Sequence, residues 1–217
     1  EEEPLVYPEL AALDKKLLIS PAVAMGEVER ALTAMTKAAR DNVLLGLEQL
    51  GGYDPKRSEA IDRCEEMLDR FADHADNFLI ELSHSMETER ENSELTAVMQ
   101  CVPCVERIGD YATNFDEMGR RLHESGHDFS RGAREELRIL GDAVMEILRL
   151  SVEAMESGSE TMARRIEPLE EVIDDMVLLL RKRHTERLCQ GVCAVDAGIV
   201  FMDALTHLER TADQCSD

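Results

Sequence analysis

Acidic side chains spaced four apart recur through this chain in a fixed order. Glu65 and Asp69 are followed by Glu106 and Asp110, and Glu170 and Asp174 are followed at nearly the same interval by Glu209 and Asp213. On a helix, residues four apart stand on one face, one turn above the other. Two carboxylates so placed repel each other, and a cation, a basic side chain or solvation must offset the repulsion. One pair on each of two neighbouring helices would make a four-carboxylate, oxygen-only site, the donor set of a hard metal ion. The plainer alternative is a solvated helix face. With 46 acidic residues in the chain, a lone Glu-x-x-x-Asp arises readily by chance, and Asp69 with Asp73 is another acidic pair at that spacing.

Recurrence separates the four pairs from that background. Glu106-Arg107-Ile108-Gly109-Asp110 aligns with Glu209-Arg210-Thr211-Ala212-Asp213 at an offset of 103, and Met99, Val102 and Val105 align with Met202, Leu205 and Leu208. Cys64 to Asp69 aligns with Leu169 to Asp174 at 105, as do Met35, Ala39, Val43 and Leu47 with Leu140, Val144, Leu148 and Val152. Segments in the same order at a near-constant offset mean one duplicated unit, too long for a solenoid repeat.

The elements that must position these residues read as helices. Leu, Ala, Met, Glu and Arg dominate, Gly and Pro are few, and Trp is absent. Residues 1–19 form a tether: acidic, with Pro4 and Pro8, then Leu10, Leu13, Leu17 and Leu18 to pack onto something. Ser20-Pro21 opens a first helix that Gly51-Gly52 stops, and Asp54-Pro55 opens a second that runs to about His84. The polar stretch Ser85 to Ser93 reads as a turn, and a third helix covers about Glu94 to Glu124. Ser130 caps a fourth that ends near Glu156, a fifth covers about Glu160 to Leu188, and a sixth starts near Val192. Short turns make antiparallel neighbours. The expected fold is all-α: two tandem antiparallel three-helix bundles, residues 20–125 and 126–217, related by an internal repeat. Pro103 should kink the third helix three residues before Glu106, which either aims the acidic pair or is incidental to it; Pro168 stands similarly ahead of Glu170.

Composition excludes several functions. A net charge of −22 repels nucleic acid and anionic membrane surfaces. No run of 18 uncharged apolar residues exists to span a bilayer, and no signal-peptide pattern is present. The six cysteines lack the spacing of a disulfide framework and read as small buried hydrophobes in a reducing compartment, and Cys101-x-x-Cys104 has no second pair at zinc spacing. Glu81-x-x-His84 and Glu124-x-x-His127 match the ferritin-like di-metal pattern but fall at helix ends, where no shared centre can form; the other histidines read as surface or half-buried. No nucleophile arrangement or phosphate-cradling glycine loop emerges, so an enzyme is not expected.

Glu106-Arg-Ile-Gly-Asp-Tyr-Ala-Thr-Asn114 resembles the signature helix of the PhoU family, and Leu208-Glu-Arg-Thr-Ala-Asp213 resembles it in a degraded form, with Thr211, Ala212 and Asp217 in place of Ile, Gly and Asn. The resemblance covers about residues 25–217 and implies two three-helix bundles related by a repeat, a part in phosphate homeostasis, and multinuclear metal clusters held by paired acidic motifs. Carried onto this sequence, one site would use Glu65, Asp69, Glu106 and Asp110, the other Glu170, Asp174, Glu209 and Asp213. Oxygen ligation suits Mg²⁺, Mn²⁺, Ca²⁺ or iron over Zn²⁺ or copper. Arg107 and Arg210 point about 100° from the glutamates before them and should pair elsewhere.

The lead segment, Leu13 to Leu18 then Pro21 to Ala24, resembles the junction in bacterial sodium/phosphate cotransporter-like proteins, where a membrane domain precedes a cytoplasmic PhoU domain. The chain opens on Glu1 rather than Met and stops one turn after Asp213, so it reads as a piece of a longer protein with its second bundle cut short. The expectation is a regulatory domain on the cytoplasmic side of the cell membrane. Its partner would be a transporter domain upstream in the same polypeptide, and the domain itself would bind no nucleic acid and insert no segment into the bilayer; homo-oligomers are compatible with it. The alternatives are a stand-alone PhoU-type phosphate-signalling regulator and a structural helical interaction domain without metal.

Overall fold

Proline, glycine and small polar caps set the helix ends of this chain. The computed structural model describes residues 13–216, and every regular element among them is helical. A 3-10 turn, Lys15–Ile19, leads into α1 (Pro21–Gly51), α2 (Pro55–Ser83), α3 (Glu89–Ser125), α4 (Arg131–Ser157), the single turn α5 (Glu160–Ala163), α6 (Ile166–Cys189) and α7 (Val195–Ser216). Pro21 and Pro55 occupy first-turn positions, where the missing N–H costs nothing. Gly126 and Gly158, at φ of 67° and 59°, end α3 and α4 in the left-handed conformation that glycine adopts without strain.

α1, α2 and α3 form one three-helix bundle; α4, α6 and α7 form the other. The expected all-α duplication is the observed fold, with α1 matching α4, α2 matching α6 and α3 matching α7. α2 packs on α3, α3 on α7 and α7 on α6, so these four helices make one layer. α1 and α4 pack on each other behind it. A continuous apolar core runs through both halves, with Met35, Leu79, Phe115, Leu140, Ile147, Ile173 and Phe201 fully enclosed. Burying each such large side chain stabilises the fold by about 1.5–3 kcal/mol.

α1 and α3 approach closely because small residues face each other. A Cβ on Gly119 would stand 2.5 Å from the Gln49 carbonyl oxygen, and one on Gly46 would stand 2.9 Å from that of Ala112. A buried polar latch closes the same end of the bundle. Asp116, 1 % exposed, accepts from Gln49 Nε2 on one oxygen, and from Ser58 Oγ at 2.6 Å and Arg120 Nη2 at 3.0 Å on the other. Gln49 Oε1 in turn accepts from the Asp54 N–H and from Arg57 Nη1, each at 2.8 Å. Three helices are thereby tied together with the polar atoms satisfied.

Several boundaries differ from the sequence expectation. α3 starts at Glu89, not near Glu94, because Thr88 and Glu91 form a reciprocal capping box inside the stretch read as a turn. The expected fifth helix is broken into α5 and α6 at Arg164-Arg165. Pro168 explains the break: it has no N–H to offer the carbonyl of residue 164, and its ring crowds that carbonyl. α7 begins at Val195 rather than Val192. Pro103 lies inside α3, whose helical run continues through it. Of the tether, Leu13 is buried, Leu17 and Leu18 pack on the core, and the Leu13 carbonyl lies 2.8 Å from His74 Nε2. The expectations for Pro4, Pro8, Leu10 and Asp217 fall outside the described residues.

Two side-chain expectations are corrected. The six cysteines are free thiols; Cys64, Cys101 and Cys215 pack half-buried against the core, whereas Cys104 and Cys193 are only half-buried and Cys189 is exposed. His184, expected at the surface or half-buried, is 1 % exposed, stacked on Phe201 with ring centroids 4.8 Å apart. It was missed because a histidine on an amphipathic helix has no spacing signal of its own.

Candidate metal centre

The helical register of α2 places Glu65 and Asp69 on the face that meets α3, where Asp110 comes opposite. One carboxylate oxygen from each of Glu65, Asp69 and Asp110 lies within 4.8 Å of the other two. The same holds for Glu170 and Asp174 of α6 with Asp213 of α7. In both triads the glutamate and the α3 or α7 aspartate are half-buried and the middle aspartate is exposed. Among the described residues these are the two places where three potential ligands converge.

Backbone approach brings the first triad together. Gly109, next to Asp110, faces Leu68, next to Asp69, and a Cβ on Gly109 would meet Leu68 Cδ1 at 2.5 Å. In the second half Ala212 and Ile173 take the corresponding positions, both fully buried. The duplicated apolar pairs thus set the helix spacing under each carboxylate group.

The electrostatics are those of a site short of positive charge. Burial first, then the charges of Asp69 and Asp110, pushes the Glu65 carboxyl above its ordinary range. Burial and Asp69 raise Asp110, and Arg107 opposes them. Burial, Asp174 and Asp213 raise Glu170. Such groups favour a proton or a cation over ionised neighbours. Three convergent carboxylates, partly open to solvent, fit a hard divalent ion or iron that keeps part of its water shell.

Of the eight residues expected from the sequence, six converge and two stand aside. Glu106 lies outside the first triad, and burial followed by the charges of Asp110, Asp69, Asp73 and Asp76 raises its carboxyl. Glu209 lies outside the second because Arg181 holds it: Arg181 Nη2 donates to Glu209 Oε2 at 2.7 Å and to Thr206 Oγ1 at 3.2 Å. The two halves differ for a readable reason. At the offset of 105 that relates Glu65 to Glu170, Asp73 corresponds to Leu178 and Asp76 to Arg181. Asp76 and Arg181 were not singled out from the sequence, and Asp73 was read only as an acidic pair with Asp69 of the kind that arises by chance; comparing the halves one turn beyond the pairs would have found all three.

A duplicated, six-helix layered bundle with a carboxylate group at the same place in each half defines the class. The chain belongs to the PhoU family: the profile of the PhoU domain matches it twice, over residues 32–118 and 137–217. It is 21 % identical over 201 residues to a phosphate-specific transport system accessory protein PhoU homolog of Thermotoga maritima, covering 87 % of this chain and 84 % of that protein. Its fold is similar to that of the phosphate transport system regulatory protein PhoU from Streptococcus pneumoniae, at TM-score 0.80 and 17 % identity over 91 % of this chain and 92 % of that one. It is also similar to PhoU from Pseudomonas aeruginosa, at TM-score 0.82 and 17 % identity over 89 % and 92 %. No helix of the described residues is long and apolar enough to cross a membrane.

Proposed function

We propose that this chain is a PhoU-type regulator of phosphate transport that works through cations held by its two carboxylate triads. The observation that carries the cation is the convergence of three carboxylates at the same place in both halves; membership of the family carries the link to phosphate transport. Glu65, Asp69 and Asp110 would hold one ion or cluster and Glu170, Asp174 and Asp213 the other. Mg²⁺, Mn²⁺ and iron suit the donor set. When bound, the ion supplies the positive charge that lets α2 and α3, and α6 and α7, keep their acidic faces together. Regulation then follows from differential binding: the domain favours whichever state of a transport partner it binds better.

The relatives it matches are PhoU proteins of which the chain spans most of the length, which favours a stand-alone regulator. Attachment to a sodium/phosphate cotransporter-like membrane domain ahead of residue 1 is the finer reading, resting on the lead segment from Leu13 to Ala24; the residues encoded upstream test it directly. Thermal unfolding in chelator, Mg²⁺, Mn²⁺ and Fe²⁺ tests the sites. A cation-dependent rise in midpoint is expected in the native chain and not in Asp110→Asn with Asp213→Asn. Deleting the gene tests the regulation: phosphate uptake at low and high phosphate should change, and the native chain should restore it. Unchanged uptake in both conditions would sink the regulatory reading.

A further inference from the structure

The seam where α3 meets α7 lies between the two triads, and it carries two cationic side chains, Arg107 and Arg210, that are not among the triad ligands. Arg107 and Arg210 are repeat-related, 103 residues apart, and so are Tyr111 and Gln214. Across the seam Arg107 Nη1 donates to Gln214 Oε1 at 3.3 Å. The other side of the seam closes as well: the Tyr111 ring of α3 stands 5.5 Å from that of His207 on α7, one turn before Arg210. Both arginines are exposed. In order across the layer stand the triad between α2 and α3, the α3–α7 seam with one arginine on each helix, and the triad between α7 and α6.

We propose that this seam binds a small tetrahedral oxyanion, with inorganic phosphate as its simplest form, between Arg107 and Arg210 when the triads on either side hold their cations. The inference rests on the cation reading above. A guanidinium presents a planar fork that matches two oxygens of a phosphoryl group, and two forks facing one another can grip it from both sides. Without cations the field of a chain at −22 opposes an anion. Loading the triads weakens that opposition on both flanks of the seam, where the nearest carboxylates lie. Binding is then reciprocal: the anion tightens the cations as much as the cations tighten the anion.

Equilibrium dialysis of labelled phosphate against the full chain, at fixed ionic strength, with magnesium and in chelator, tests this. Thermal unfolding in magnesium alone reads the cation sites separately. Phosphate should bind in magnesium and not in chelator. Arg107→Gln with Arg210→Gln should weaken it by about tenfold or more, the loss expected for charge-assisted hydrogen bonds, while the magnesium shift persists. Arg121→Gln with Lys182→Gln makes the same change in charge elsewhere on the surface and should bind phosphate as the native chain does. Competition by glycerol phosphate shows that the terminal group of an ester is also taken; failure to compete shows that only the free ion fits; either supports an oxyanion seat. If magnesium shifts the midpoint but phosphate does not bind, or binds equally to the seam variant, the inference alone fails. If magnesium shifts nothing, the cation reading fails and takes the inference with it.

Discussion

Asp76 and Arg181 occupy the same repeat position and carry opposite charges. In the first half Asp76 adds to the negative field on Glu106; in the second Arg181 neutralises Glu209 at 2.7 Å. The second half therefore has a covalently attached cation where the first has another carboxylate. Arg181→Gln should cost the chelated protein about 1 kcal/mol or less, since the pair is partly exposed. It should also enlarge the magnesium-dependent rise in unfolding midpoint by releasing Glu209; an unchanged rise would show that Glu209 does not reach the ion. Asp116 makes a contrasting case, because its partners are structural. Asp116→Ala leaves the Ser58 hydroxyl and one of the two Gln49 Nε2 hydrogens buried without an acceptor, the other still donating to the Asp54 carbonyl, and should cost about 3 kcal/mol in urea unfolding, with the magnesium-dependent rise in midpoint unaltered. Little of the Asp116 latch was legible in the sequence. An isolated aspartate on an amphipathic helix has no periodic signature, and its partners lie 58 and 67 residues away.

At the scale of the helices, spacing carried most of the information. The Glu-x-x-x-Asp register put Glu65 and Asp69 on one face, and the duplication predicted that α6 and α7 would repeat what α2 and α3 do. What spacing could not show was which glutamate of each α3-type helix turns toward the site, since that depends on neighbours such as Arg181 from another helix. Capping chemistry decides the α3 start: Thr88-x-x-Glu91 was present to be read but stood inside a polar stretch that resembles a loop. Close approach decides the packing of α1 on α3. Gly119→Ala would drive a methyl into the Gln49 backbone and should destabilise by about 1–3 kcal/mol. Gly26→Ala, also in α1 but with nothing within 4 Å, should instead stabilise by about 0.5–1 kcal/mol through helix propensity. Opposite signs for the two substitutions in thermal unfolding would confirm that the α1–α3 distance, and not glycine content, sets the tolerance.

For the whole molecule, the proton balance has two limbs of opposite sign. Burial, then Arg187, lowers the His184 pKa from its ordinary 6.5, and burial, then Arg210, lowers that of His207. A base depressed in the folded state takes its proton in the unfolded state first, so stability should fall as pH drops below about 6.5. Glu65, Glu106, Asp110 and Glu170 are raised, so the folded state binds their protons first. Their contribution is lost as pH rises through the raised values and is complete only below the ordinary carboxylate range. Hydrogen bonds hold Glu91, Glu135 and Glu146 below the ordinary range, which adds a loss toward acid. Urea midpoints in chelator should therefore decline less steeply toward pH 4 in the native chain than in Glu65→Gln with Glu170→Gln; equal slopes would show that the raised-carboxylate limb is absent. His184→Phe keeps the ring against Phe201, removes no hydrogen bond, and should flatten the first limb. The packing of α3 on α7 has an optical consequence. The chain has no tryptophan, so tyrosines dominate its near-ultraviolet signal. Of the two described, Tyr53 lies beside His123 at the far end of α3, whereas Tyr111 stands at the junction of the halves, 5.5 Å from His207. A Tyr53→Phe chain would make Tyr111 the principal chromophore among the described residues, so that any sliding of one half against the other reads out as a change in absorbance or emission without an added label.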